Sequence, residues 1–308
     1  MSAGRRALLA LPLAVLARAV LAQSPPKPIE FRSQVAAVYV DAFVTRGDKP
    51  VPDLRASDFA LRDNGVPQQL ELLSAESRPV KAVLVFDTSS SMAGDRIEAL
   101  RTAGEAFLDG LRPADEAGLV AFSEDVFWLA DPTSDKAAVR RGLAQLRAAG
   151  ATSVYDALYA GITLSQGELR PLIVLFTDGE DNTSWLGEAD LRIVAQRSNA
   201  LVHVVGWRPP LPPEARRRMP LRTESPQERA LREIAEAAGG RFWDADSPAR
   251  LRQAMRAIAD AMGHRYVLRY EPTGIGREGW HRIDARLRGV KGDVHVRRGY
   301  WVADAVRD

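Results

Sequence analysis

Two of the chain's uninterrupted apolar stretches organise the rest. One is Val83-Leu84-Val85-Phe86 and the other is Leu172-Ile173-Val174-Leu175-Phe176. Runs of this length suit strands buried on both faces, as in a parallel sheet covered by helices. Around them the period switches between strand and helix. Residues 95–112 place Ile97, Leu100, Phe107 and Leu108 on one helical face. Gly118–Phe122 reads as a strand, with Val126–Ala130 as its hairpin partner. Ser134 is expected to cap a helix carrying Val139, Leu143 and Leu146 and ending near Gly150. Further helices are expected over 154–164, 188–197 and 227–238, and a last one after Ser247-Pro248. Leu201–Val205 and Gly240–Trp243 supply strands between them.

The two ends of the chain have a different pattern. Val35–Thr45 is rich in β-branched and aromatic residues. Asp63-Asn64-Gly65, set between Phe59–Arg62 and Gln69–Leu73, is a strong hairpin signal. Near the C-terminus, His264, Tyr266, Leu268 and Tyr270 alternate with Arg265, Val267 and Arg269, and strands follow over 280–287 and 294–301. The strands near the N-terminus alone would make a thin sheet. The expected fold is therefore α/β: a doubly wound, mostly parallel, Rossmann-like sheet inserted in a smaller all-β, sandwich-like domain built by both chain ends. The expected boundaries are 23–78 for the first part of the β domain, 79–263 for the α/β domain and 264–308 for the second β part. A separate C-terminal hairpin is the alternative.

The apolar runs end in chemistry. Asp87 closes the first, and Ser89 and Ser91 follow at alternate positions; Asp178 follows the second, after Thr177. Thr152 lies in Gly150-Ala151-Thr152-Ser153, just before a helix. The carboxyl ends of strands in open α/β sheets are where ligands bind. Two carboxylates and three hydroxyls suit a hard cation such as Mg²⁺, Mn²⁺ or Ca²⁺, with a coordination position to spare. Asp156, Glu180, Asp181 and Asn182 are near, and the last two read better as loop and capping residues than as ligands.

Taken together, D-T-S-S-S, the Gly-Ala-Thr loop and T-D-G-E resemble the metal-ion-dependent adhesion site of von Willebrand factor type A domains. Asp87, Ser89, Ser91, Thr152 and Asp178 match all five ligand positions of that pattern, and the resemblance runs from about Pro79 to Gly263. The outer segments V-x-V-D-x-x-V-T, D-F-x-L-R-D-N-G and R-x-G-Y-W resemble bacterial exported proteins built on this domain. The resemblance implies a metal-dependent protein-binding module and not an enzyme. The serines and threonine would contact the metal, the aspartates would do so directly or through water, and an acidic side chain of a protein partner would complete the shell. A metal-dependent hydrolase, and a structural component of a cell-envelope assembly with a stabilising metal, are the alternatives.

Composition narrows the setting. Over 308 residues the net charge is only +2, with 42 Lys and Arg against 40 Asp and Glu, so nucleic-acid binding has no global electrostatic support. Arg5 and Arg6 precede an apolar stretch, Ala7–Ala17, and Ala22 offers a cleavage point: a signal peptide over 1–22. The general or the twin-arginine route would serve, and an uncleaved anchor is the alternative. No later stretch is long enough for a membrane span, so the mature chain is expected to be periplasmic or extracellular. Without Cys it holds no disulfide. Arg46-Gly47-Asp48 reads as turn chemistry more than as an adhesion motif, and Arg216-Arg217-Arg218 as a solvated face. His203, His264, His281 and His295 lack ligand spacing, and Trp207, Trp243, Trp280 and Trp301 read as core or rim aromatics. There is no G-x-S-x-G elbow, H-E-x-x-H, Walker or EF-hand pattern.

Overall fold

A computed structural model describes residues 37–46, 49–73, 79–167, 169–208, 224–276 and 278–302. The N-terminal segment, Gly47-Asp48 and Arg216–Arg218 lie outside the described residues. The two apolar runs become β6 (Val80–Asp87) and β9 (Arg170–Thr177), neighbours at the centre of a six-stranded sheet. β7 (Glu116–Phe122) flanks β6 in parallel, and β8 (Val126–Thr133) closes that edge antiparallel as the expected hairpin. On the other side β9 pairs in parallel with β10 (Leu201–Trp207), and β10 with β11 (Phe242–Ala245). The strand order is β11-β10-β9-β6-β7-β8. Chain order reverses between β6 and β9, which is the topological switch point.

Alternate residues of the central strands feed two cores. Leu84, Phe86, Val174 and Phe176 pack against α1 (Asp95–Gly110), α2 (Lys136–Gln145) and α6 (Pro248–Gly263). Val83, Val85, Ile173 and Leu175 pack against α3 (Val154–Leu164), α4 (Glu188–Arg197) and α5 (Pro226–Ala237). All eight side chains have no exposed surface. Each stabilises the fold by about 1.5–3 kcal/mol on burial. α3 approaches β6 so closely that a Cβ on Gly161 would lie 2.6 Å from Val85 Cγ2. That contact seats the N-terminus of α3, and with it Thr152, over the sheet.

Both chain ends build antiparallel sheets, as the sequence pattern requires. One sheet orders β14 (Asp293–Val296), β1 (Val38–Arg46), β12 (Tyr266–Tyr270) and β5 (Glu71–Leu73), with β2 (Lys49–Pro50) paired to β1. The other orders β15 (Gly299–Val302), β13 (Gly279–Leu287), β3 (Phe59–Asp63) and β4 (Val66–Pro67). Their common core includes Val40, Phe59, Leu61, Leu268 and Tyr270.

Three details differ from the expected pattern. The hairpin at Asn64-Gly65 has positive φ at both positions, 47° and 84°, but its return strand is only Val66–Pro67. Glu71–Leu73 instead pairs with β12. Gln68 makes the transfer: its side chain accepts the Thr273 N–H at 3.0 Å and donates to Thr273 O at 3.0 Å. The C-terminal strand also divides, with β14 in one sheet and β15 in the other. Finally, Asp135 and not Ser134 caps α2, accepting the Ala137 N–H at 3.0 Å, and α2 ends at Gln145. The residues after it are needed elsewhere: Ala149 N donates to Thr88 O.

The alternation in β12 predicts one buried face, yet Val267 and Arg265 on the other face are buried too. That face lies on the α/β body. Phe43 of β1 joins the α/β core. Asp41 of β1 pairs with Arg170 at the start of β9, and its second oxygen lies 3.5 Å from Arg265. Arg265 also donates to Met262 O at the end of α6. Arg297 donates to Ser198 O and Gln196 O at the end of α4 and to Asn199 Oδ1. Helix C-termini favour such cations. Burial, with other guanidiniums nearby, holds the Arg170 pKa down at about 10.

Asp41→Asn leaves Arg170 and Arg265 without this carboxylate in a buried junction. It should cost about 3–5 kcal/mol in urea unfolding; a loss below about 1 kcal/mol would mean that the helix-end carbonyls suffice. His203 offers a pH test. It is buried in β10, and its Nδ1 accepts the Arg241 N–H at 3.1 Å and the Trp243 Nε1–H at 3.2 Å. Burial, aided by the Arg241 charge, lowers its pKa to about 3. The folded imidazole stays neutral while the unfolded one gains a proton below its ordinary 6.5. Its contribution is therefore present above pH 6.5 and lost as pH falls toward 3, by up to about 1.4 kcal/mol per pH unit. His203→Gln should flatten that part of the acid limb in urea midpoints measured at pH 7, 5 and 4. An unchanged slope would contradict the assignment.

Candidate metal centre

At the end of β6 the backbone turns sharply. Thr88 donates its N–H and its hydroxyl to the same acceptor, Phe122 O of β7, at 2.7 and 2.9 Å. Asp87 is left pointing into the crevice at the switch point and is fully buried. Its Oδ1 accepts the Ser89 N–H at 2.9 Å, and its Oδ2 accepts the Thr177 hydroxyl of β9 at 2.7 Å. Burial pushes the Asp87 pKa up; hydrogen bonds from Ser89 and Thr177 oppose the rise, and nearby Asp178 adds to it.

The other expected residues gather beside it. Ser89 Oγ lies 3.0 Å from Ser91 Oγ, and Ser91 Oγ donates to Asp178 Oδ1 at 2.7 Å. A Cβ on Gly179 would meet Thr152 Oγ1 at 4.0 Å. Asp87, Ser89, Ser91, Thr152 and Asp178 thus come from three loops to one place. Ser89 and Thr152 are buried, while Ser91 is exposed, so the group opens to solvent on one side. The loops are tied by backbone bonds, Ser90 N to Gly150 O at 3.0 Å and Asn182 N to Thr152 O at 2.9 Å.

The donor set fits a hard divalent cation. It is oxygen only, and two carboxylates with three hydroxyls can fill most of a coordination shell. Among the described residues the Thr152 hydroxyl has no hydrogen-bond partner, so its lone pairs are available. Asp87 gains from a neighbouring cation, because buried anionic charge is costly unless paired. Among the described residues no group of three or more His, Asp or Glu could hold a metal, so any cation site here must draw on hydroxyls.

Asp181 and Asn182 act as loop and cap residues. Asn182 Oδ1 accepts the Thr152 N–H at 2.9 Å, and Asp181 Oδ2 accepts the Tyr155 N–H at 3.1 Å in the first turn of α3. Asp156 holds the next loop, accepting the Trp185 N–H at 2.9 Å and the Leu186 N–H at 3.0 Å. Trp185 is 97% exposed.

Sequence reasoning passes over Thr177, Arg96 and Trp185. Thr177 is legible in retrospect as the last residue of an apolar strand, where a hydroxyl can reach the next strand. Arg96 lies in the first turn of α1, and its Nη1 donates to Asp178 Oδ2 at 2.8 Å and to Ser91 O at 3.0 Å. Nothing in local spacing announces that reach.

Residues 82–180 match the family model described as the von Willebrand factor type A domain. A UPF0353 protein of Mycolicibacterium paratuberculosis is 37% identical over 115 residues, 32% of this chain and 34% of that protein. A UPF0353 protein of Mycobacterium bovis is 24% identical over 229 residues, 66% of this chain and 65% of that protein. The chain thus spans about a third to about two thirds of the length of these curated relatives. Among solved structures, a von Willebrand factor type A protein from Catenulispora acidiphila aligns with a TM-score of 0.51 at 17% identity, over 85% of this chain and 76% of that one. That likeness is one of fold. Residues 82–180 thus match that domain in sequence, and the chain shares its fold.

Asp156→Ala removes the carboxylate that receives two backbone N–H groups and should destabilise the loop by about 1–3 kcal/mol. Amide exchange at Trp185 and Leu186 should rise while the β6 and β9 amides stay protected. Unchanged exchange at both would show that the loop is held by other contacts.

Proposed function

We propose that the von Willebrand factor type A body of this chain is a cation-dependent binding module. Asp87, Ser89, Ser91, Thr152 and Asp178 would hold Mg²⁺, or Mn²⁺ or Ca²⁺ in its place. The cation supplies a Lewis-acidic position to which a carboxylate can bind. The chain's own residues orient it: Thr177 and Ser89 fix Asp87, and Asn182 fixes the Thr152 backbone. The carrying observation is the meeting of these five side chains at the β6/β9 switch point. The two carboxylates would balance a divalent charge, and the coordination position that the five donors leave open would be able to take a further oxygen ligand such as a carboxylate. The ligand is therefore a protein partner that presents an acidic side chain.

Binding, and not turnover, suits the surroundings. His203 is committed to the buried network with Arg241 and Trp243. His281 is committed to another, its Nδ1 3.1 Å from Asp63 Oδ1. Neither serves as a general base for an attacking water. The chain is proposed to act outside the cytoplasm, on the strength of its Arg5-Arg6 and Ala7–Ala17 leader pattern. Among the described residues no helix is long and apolar enough to cross a membrane.

Titration calorimetry with Mg²⁺ and Mn²⁺ tests the cation step. Asp87→Ala and Thr152→Ala should each weaken binding roughly tenfold or more. Equal affinity in wild type and both variants would rule the site out. For the partner step, capture of a carboxylate-bearing protein should be lost in EDTA and restored by Mg²⁺; capture that survives EDTA would leave the metal a stabilising role only.

A further inference from the structure

Arg96 occupies an unfavourable place for a cation. It is the second residue of α1, where the helix N-terminus is already positive, and its neighbours Asp95 and Glu98 are the acids that such a turn favours. A residue that breaks a local rule needs compensation, and here it comes from the candidate site. Arg96 Nη1 donates to Asp178 Oδ2 at 2.8 Å and to Ser91 O at 3.0 Å. The Asp178 side chain is 1% exposed and that of Arg96 is 40% exposed. Since Ser91 Oγ donates to Asp178 Oδ1, both carboxylate oxygens are engaged. Among the described residues, Arg96 Nε and Nη2 have no partner.

We propose that Arg96 is a resident counter-cation that competes with the divalent metal for Asp178 and so sets the metal affinity of the site. The inference rests on the cation-site reading above. A guanidinium on Asp178 Oδ2 and a divalent cation drawing on the same carboxylate repel one another. Without metal, Arg96 neutralises Asp178, which would otherwise be a buried charge held only by the Ser91 hydroxyl. When metal enters, the Arg96–Asp178 bond loosens and the guanidinium moves toward solvent. The two states are linked, so whatever weakens the Arg96 contact raises the metal-competent fraction and strengthens metal binding, by up to the factor that the contact loses.

The test uses the full chain stripped with EDTA and titrated with Mn²⁺, with free Mn²⁺ read by electron paramagnetic resonance. Arg96→Gln should bind Mn²⁺ roughly tenfold more tightly than wild type, because a like charge within contact distance of the site is gone. Arg96→Lys keeps the charge and should stay near wild type. Without metal, Arg96→Gln should melt below wild type and gain more on adding Mn²⁺. A measurement on the wild type needs no variant: saturating Mg²⁺ should speed hydrogen exchange at the Arg96 Nη1 protons, released from Asp178 Oδ2, and move the guanidinium ¹⁵N resonances. Equal Mn²⁺ affinity in wild type and Arg96→Gln, with binding abolished by Asp87→Ala, would overturn the role of Arg96 and leave the cation site standing. An unmoved Arg96 resonance at Mg²⁺ saturation would do the same. Absence of Mn²⁺ binding in both wild type and Arg96→Gln would overturn the site and the competition together.

Discussion

A single hydrogen bond, from the Thr177 hydroxyl to Asp87 Oδ2, joins the ends of the two central strands. It sits where β6 and β9 part company with their crossovers, so it fixes the floor of the crevice that any doubly wound sheet opens there. A buried carboxylate is costly, and its acceptors must be used. Asp87 meets that demand with one bond along its own loop and one across to β9. Every other candidate donor is placed relative to that anchor: Ser89 by following it, Asp178 by following Thr177, and Thr152 by backbone bonds to the loop after Asp178. Rigidity at the floor, together with an exposed Ser91 at the mouth, would give the proposed site its shape before any ligand arrives.

The opposite pole of the α/β body depends on charge as well. Asp41 of β1 meets Arg170, where β9 begins, while Arg265 and Arg297 cover the ends of α6 and α4. The β sheets are thus attached to the α/β body by side chains that satisfy helix carbonyls, not by apolar contact alone. By contacts, residues 35–308 form one unit. The same logic runs inside the β sheets, where Tyr270 and Tyr300 each donate to Asp63 Oδ2 at 2.7 Å. Burial and that neighbouring carboxylate raise both phenol pKa values.

Much of this was legible in the residues. A short apolar run that ends in a polar turn suits a buried strand, so β6 and β9, with Asp87 closing one and Asp178 just past the other, follow from pattern. Helices 154–164 and 188–197 match their apolar spacing, which is carried by their buried faces, since neither has a side-chain cap bond at its N-terminus. The misses share a cause, which is tertiary competition for local groups. Glu71–Leu73 would serve in the Asn64-Gly65 hairpin, but Gln68 binds the chain at Thr273 and diverts it. By sequence, 294–301 reads as one strand, yet Gly299 sits where a Cβ would be 2.3 Å from His281 O, and the chain pairs with the second sheet from there. The reach of Arg96 to Asp178 has no local signature at all, since it joins the first turn of a helix to a loop 82 residues on.

The pairing of β5 with β12 has a bearing on the order of events in folding. Val267 stands opposite Leu73, and Gln68 is bonded to Thr273 across 205 residues of chain. Closing so long a loop in an open chain costs conformational entropy before any contact rewards it. Once the α/β body has formed, its entry and exit strands already lie side by side, and most of that cost has been met. The flanking sheets should therefore zip up last, around a body already able to gather its five oxygen donors.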